Sequence, residues 1–224
     1  TLALLIQAGV MLYLYREHRN YQGIGWWALG SVGLAIGFVI SQFLEDPVLF
    51  SVTLFGSRAL FVGASFCYYV GICRFFGKST NLRFLFLLWL GYLGLFGYLT
   101  LVLGDVWLAT IVFSAVTALI DTATVILLLS NLPATGRGPI VMTSAAFLTM
   151  AGLFGVRVVA MLLTKEGQWA PTSVTTTLAA FAVSNLWTCG FISLVNQRLH
   201  WETLESQARF ETIFQTSPDA TLIS

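Results

Sequence analysis

Charge is what this chain has least of. Of its 224 residues only 9% are Asp, Glu, Lys or Arg, while 57% are hydrophobic. An ordinary soluble domain carries about a quarter charged residues. The shortage runs along nearly the whole length and places the chain among integral membrane proteins. With a net charge of +1, the basic footprint of a nucleic-acid-binding protein is missing. Lysine occurs only at Lys78 and Lys165, both between apolar segments, which speaks against a retinal pigment with its lysine deep in the last helix. Proline is absent from segment interiors: Pro47, Pro133, Pro139, Pro171 and Pro218 lie at or beyond segment ends, so the broken helices expected of a transporter are not seen. The three cysteines, Cys67, Cys73 and Cys189, are odd in number and match no metal spacing, and they read as buried small apolar side chains. His18 and His200 are far apart, and no H-E-x-x-H, G-x-S-x-G or phosphate-binding glycine loop occurs. No cofactor, metal or catalytic residue is therefore assigned.

What is present is seven apolar segments, at about 1–15, 23–43, 48–75, 83–103, 106–130, 139–164 and 173–196. The connectors are too short for a folded extracellular domain. The expected fold is an all-α integral membrane bundle of seven transmembrane helices, because a segment in lipid must satisfy its own backbone groups. The first run, "TLALLIQAGVMLYLY", has no basic n-region and no cleavage site, so it is not a signal peptide. At about 22 Å it is short for a hydrocarbon core of about 30 Å, and the natural polypeptide is expected to begin upstream of Thr1. Connectors after segments 1, 3 and 5 hold Arg16, Arg19, Arg74, Lys78, Arg83 and Arg137. Those after 2, 4 and 6 hold only Lys165, with Glu45, Asp46, Asp105 and Glu166. That asymmetry predicts an outside N-terminus and a cytoplasmic C-terminus. Trp26, Trp27, Trp107, Trp169 and Trp201 sit near segment ends as interfacial anchors would. Gly30, Gly33 and Gly37 on segment 2, and Gly91, Gly94 and Gly97 on segment 4, mark close-packing faces inside the bundle or between subunits.

Three ionisable residues lie well inside apolar segments: Arg58, Asp121 and Arg157. Charges at that depth cost several kcal/mol unless paired or hydrated, so each is expected to face the bundle interior. The topology puts Arg58 about 15 Å, Arg157 about 11 Å and Asp121 about 22 Å from the outer edge. One reading is structural: Asp121 neutralises an arginine and the group fixes helix register. The other counts two cations against one anion, leaving a positive charge that would grip the head of an anionic, partly apolar ligand. Thr175, Thr176, Thr177 and Asn185 on segment 7 would add neutral donors, although threonines in membrane helices also bond their own backbone.

From Phe191 onward, segment 7 passes without proline or glycine into "NQRLHWETLESQA". There Leu194, Gln197, Trp201, Leu204 and Ala208 form a short heptad-like seam. Arg198–Glu202 and Glu205–Arg209 are opposite charges one turn apart. The seam predicts a parallel coiled coil between two subunits. A helix lying on the membrane is the alternative, but that would carry a basic polar face rather than mixed signs.

The final stretch, "FETIFQTSPDATLIS", resembles the opening of a PAS domain: an aromatic-rich helical turn, an SPDA-type break and a first strand. "GIGWWALGSVGLAIGF" and "GICRFFGK" resemble segments of the seven-helix input domains of bacterial signalling proteins. Such domains precede PAS and then a GGDEF diguanylate cyclase, sometimes with an EAL phosphodiesterase, or a histidine kinase. The resemblance implies a sensory domain at 1–196, a signalling helix at 197–209 and a truncated PAS start at 210–224. It also implies a homodimer in the bacterial inner membrane, and it supplies no ligand residue. Two further readings compete with ligand sensing: a small-molecule carrier with a C-terminal anchor, and a sensor of bilayer thickness or tension.

Overall fold

The structure, a computed structural model, describes the backbone of residues 2–45, 49–132, 137–164 and 170–216, and the side chains of these except 45, 164, 170–182 and 213–216. Among the described residues the chain is all helical. Helices α1 (Leu2–Glu17), α2 (Ile24–Ser41), α3 (Phe50–Phe75), α4 (Leu82–Gly97), α5 (Val106–Leu129), α6 (Gly138–Thr164) and α7 (Ala170–Thr216) follow in order. Five of them, α2 to α6 with their extensions, are long and apolar enough to cross a membrane. Five of the first six match the apolar segments to within about two residues at each end, and α4 reaches the end of its segment only with the π-helical turn Tyr98–Val102 that follows it; charge, glycine and proline end both the hydrophobic run and the helix. The seventh departs. It runs 47 residues, about 70 Å, with no break where lipid-compatible sequence ends. Phe210 therefore continues α7 rather than opening a separate short helix, while the Ser217–Ser224 stretch resembling a PAS start lies outside the described residues.

The termini explain themselves locally. Asn81 and Asp105 cap α4 and α5, their side chains accepting from the Phe84 and Leu108 amides at 3.2 and 2.9 Å. Pro139 and Pro171 occupy first-turn positions, where a missing amide proton costs nothing. The end of α3 is a Schellman motif: Lys78 N–H donates to the Cys73 carbonyl at 2.8 Å and Gly77 N–H to that of Arg74 at 3.0 Å. Gly77 supplies the left-handed turn with φ +69. That motif leaves the Phe75 carbonyl without an amide donor.

Helices α1, α2, α3, α5, α6 and α7 contact one another in that cyclic order, and α4 lies outside the ring against α3 and α5. The α2–α3 seam is close because α2 presents glycine. A Cβ at Gly30 would stand 3.1 Å from the Ala64 carbonyl oxygen, and one at Gly37 would stand 2.6 Å from the Phe61 ring. Two glycines of α4 play a different part, since nothing lies within 4 Å of a Cβ at Gly91 or Gly94, whereas one at Gly97 would stand 3.1 Å from the Phe55 ring. Only Tyr92 and Phe96 of α4 are buried, and this helix stands largely free. The ring interior is filled by aromatic rings. Trp27 stacks on Phe191 at 4.3 Å and Phe147 on Trp187 at 5.3 Å, with Tyr68 packed at 5.2 Å from Trp187 and 5.7 Å from Phe191.

This core corrects two expectations. Trp27 is no interfacial anchor: it is fully buried, because Gly71 leaves room for its indole against α3, while Gly23 lets the α3 backbone approach. Of the cysteines only Cys73 is buried; Cys67 is half-buried and Cys189 is exposed, on the face of α7 opposite Trp187 and Phe191.

Candidate functional site

The expected charge group assembles in part. Arg58 lies eight residues into α3 and Arg157 seven residues before the end of α6, so both sit about 10–12 Å from the same end of the bundle. Arg58 is within electrostatic range of Arg157 and of the Tyr92 hydroxyl on α4. Between them stands α5. The Arg58 guanidinium lies over the Phe113 ring at 4.6 Å and over Phe61 at 5.6 Å, a cation–π arrangement that holds a cation where water is scarce. Phe113 meets Phe154 edge-on at 5.5 Å, one turn before Arg157 on α6. The Tyr92 hydroxyl and the Ser114 hydroxyl are buried without a hydrogen-bond partner among the described residues. Two guanidinium groups, two unused hydroxyls and an aromatic wall thus share one level of the bundle.

Asp121 does not join them. It lies fifteen residues into α5, about 10 Å deeper than Arg58, and the described residues show no ion pair between it and either arginine. The Arg58 guanidinium is folded onto Phe113, about two turns from Asp121. Asp121 is instead part of a buried polar stripe on α5 formed with Ser114, Thr117 and Thr124. Thr117 and Thr124 bond back to the Phe113 and Ile120 carbonyls of their own helix. Asn185 is also not brought to the arginines. It lies on the exposed face of α7 beside Leu186 and Cys189, while the face toward the ring carries Ser184 and Thr188. Gln7 of α1 reaches those two, its amide donating to the Ser184 carbonyl at 2.9 Å and to the Thr188 hydroxyl. The side chains of Thr175, Thr176 and Thr177 lie outside the described residues.

A second cluster, not foreseen from the sequence, sits where α7 leaves the bundle. Arg198 donates through Nη1 to the Phe75 carbonyl at 2.8 Å, the one left open by the Schellman motif of α3. Its Nε donates to Glu202 Oε1 at 3.2 Å, and its guanidinium lies 5.3 Å from both the Tyr21 and Phe75 rings. The Tyr21 hydroxyl, in the α1–α2 loop, donates to Glu202 Oε2. One arginine thus ties α7 to the C-terminus of α3, where a cation also complements the helix dipole, and one glutamate ties it to the α1–α2 loop. The hydrogen bond from Tyr21 holds the Glu202 carboxyl below its usual range, and the same bond pushes the Tyr21 phenol up. Arg198 and Glu202 are legible in the sequence as a helix-stabilising pair. Their partners Tyr21 and the Phe75 carbonyl are 181 and 123 residues away, and no local signal connects them.

The seam residues lie next to this clasp on the helix. Gln197 is half-buried, whereas Trp201, Leu204 and Ala208 are exposed, Trp201 at 48% and Leu204 at 42%. Gln197 and Arg198 are consecutive, as are Trp201 and Glu202, so each pair differs by a rotation of about 100°. The clasp therefore fixes the direction in which the seam points.

Comparison with known proteins adds no identity: no family model matches the chain, and no curated protein or solved structure resembles it significantly.

Proposed function

We propose that this chain is a sensory membrane module that transmits a stimulus through α7 to a cytoplasmic output. In this reading all seven helices span the membrane, the N-terminus is outside, and the basic loops face the cytoplasm. The observation that carries the proposal is α7 itself, one helix of 47 residues that begins in the bundle and ends well beyond it. An anchor has no need of such a rod, whereas a rod coupled to the bundle at several levels can carry movement. Its couplings are the ring stack of Trp27, Tyr68, Phe147 and Phe191, and below it the Arg198–Glu202 clasp.

The stimulus site is assigned to Arg58 and Arg157, with Tyr92 as a neutral donor, and the ligand class to an anionic molecule with an apolar body. An anion between the guanidiniums would relieve their mutual repulsion and engage the idle Tyr92 hydroxyl, which favours whichever helix arrangement brings them together. A differential affinity of a few kcal/mol, spread over such contacts, is enough to move a two-state bundle across its midpoint. Movement of α5 and α6 against α7 would turn the seam, which we assign to a parallel homodimer in the bacterial inner membrane. The output is assigned to a PAS domain followed by a GGDEF diguanylate cyclase, with a histidine kinase as the alternative in the same position.

The test uses the full-length protein in inner-membrane vesicles. Leu204→Cys is expected to form a disulfide-linked dimer on mild oxidation, while a cysteine at the exposed, off-seam Glu205 forms far less. Equal cross-linking at both positions would refute the seam. Arg58→Leu is expected to leave basal output intact and abolish the response to the activating compound; a retained response removes Arg58 from the site.

A further inference from the structure

Because α4 is attached to the ring mainly through Tyr92 and Phe96, its first two turns stand off from the bundle. A groove of about 700 Å³ lies between α2, α3 and α4 as a result. Its floor includes Gly33, Gly63 and Ala64, and Trp89 crosses it, the indole Nε1 donating to the Ala59 carbonyl at 3.4 Å. Along α2 the lining runs from Trp26 to Ile36, a height of about 15 Å. That is half the hydrocarbon thickness of a bilayer, about 30 Å in all, so the groove matches one leaflet.

The lining is apolar except at the end where α2 and α4 begin, which holds Arg83 in the first turn of α4. Arg83 is exposed and has no acidic partner among the described residues. It also occupies the first turn of α4, where the helix dipole disfavours a cation and where no acidic residue accompanies it. Arg74 adds a second cation at this end, its guanidinium 5.3 Å from the Trp26 ring. On the far side of α4 a second groove, of about 560 Å³ between α3, α4 and α5, has no charged residue in its lining. Of these two grooves, the first alone combines leaflet height, an apolar trough and an unbalanced positive rim. Basic pockets between membrane helices favour anionic lipid head groups.

We infer that the α2–α3–α4 groove binds one anionic phospholipid, an acyl chain lying along Gly33, Gly63 and Trp89 and the phosphate head group against Arg83. In the orientation proposed above this is a lipid of the cytoplasmic leaflet. Binding there would set how far α4 stands from α3, the helix that carries Arg58.

The inference is tested with the whole chain in nanodiscs containing brominated phosphatidylglycerol or brominated phosphatidylcholine. The fluorescence quenching lost in Trp89→Phe gives the share due to Trp89. That share is expected to show a preference of about five-fold for the anionic lipid. Arg83→Gln should bring the ratio close to one, and Arg83→Lys should keep most of it. Arg16→Gln, a cation at the end of α1 outside the groove, should leave it unchanged. Equal quenching by the two lipids overturns the site, as does a preference that survives Arg83→Gln or falls equally with Arg16→Gln. Both leaflets of a nanodisc carry the same lipid, so the result is independent of orientation and of the sensor reading. Arg83 is exposed, and an unchanged thermal melt of Arg83→Gln shows that any loss is not one of folding.

Discussion

Gly71 on α3 is the place where a single methyl group should disturb α7 without touching it. A Cβ there would lie 2.5 Å from Nε1 of Trp27, closer still to its Cδ1, and 2.9 Å from the Gly23 carbonyl oxygen. Ordinary contact begins at 3.4 Å, so in Gly71→Ala the indole must withdraw by about 1 Å, a strain of the size that costs an overpacked core about 1–3 kcal/mol. The indole has nowhere free to go: it is fully buried and stacked on Phe191 of α7 at 4.3 Å. Losing that stacking geometry costs about 0.5–1.5 kcal/mol more. Against this, alanine in a helix interior gains about 0.5–1 kcal/mol over glycine. The net expectation is a loss of about 2 kcal/mol. Gly91→Ala is the internal control, because no atom lies within 4 Å of its Cβ. It should be neutral or stabilising by up to about 1 kcal/mol. Reversible unfolding in mixed micelles, followed by circular dichroism and tryptophan fluorescence, measures both. If the two variants differ by less than about 0.5 kcal/mol, the close packing that couples α3 through Trp27 to α7 is refuted.

Gly190→Ala should behave like Gly71→Ala in the same assay, because its Cβ would collide with the Thr143 hydroxyl and lie 3.3 Å from the Thr143 backbone; wild-type stability would mean that α6 and α7 are not in that contact. Asp121→Asn is expected to be neutral or stabilising, since the buried carboxylate has no cation partner among the described residues; a loss above about 2 kcal/mol would reveal a partner for its charge. The clasp is expected to depend on pH at both extremes. Glu202 is held below its usual 4.5, so its contribution is complete above that value and is lost as pH falls through the lowered one. Tyr21 is raised above 10.0, so the phenol's contribution is complete below that value and is lost as pH rises through the raised one. Spin labels at Gln22 and Ser206 should report a constant distance between pH of about 5 and 9 that broadens outside it, with Tyr21→Phe removing the alkaline limb. An unchanged alkaline limb in Tyr21→Phe would assign it to another group.

The first six helices were legible because an apolar run in lipid can satisfy its backbone groups only as a helix, and five helices are long and apolar enough to cross a membrane; loop charge or glycine ends run and helix alike. Arg58 and Arg157 stood out for a related reason, since a charge inside an apolar segment is rare. Their relation to Asp121 was not legible. A depth estimate along one axis could not show that α5 places Phe113, rather than a carboxylate, beneath the Arg58 guanidinium.

By itself, then, the sequence determined what depends on a residue and its near neighbours along the chain: the helical class, most of the helix ends, the i,i+4 charge pairs of α7 and the apolar character of nearly everything else. The tertiary structure alone decided which glycines are tight and which are open, which tryptophan is core and which is rim, and which carbonyl Arg198 finds. Gly30 and Gly91 are the same residue in similar apolar helices, yet one lies against Ala64 and the other has nothing within 4 Å. The physical reason is that helix formation in lipid is a local requirement met within each segment. The pairing of helix faces is set by side chains far apart in the chain, which meet only once the ring has closed.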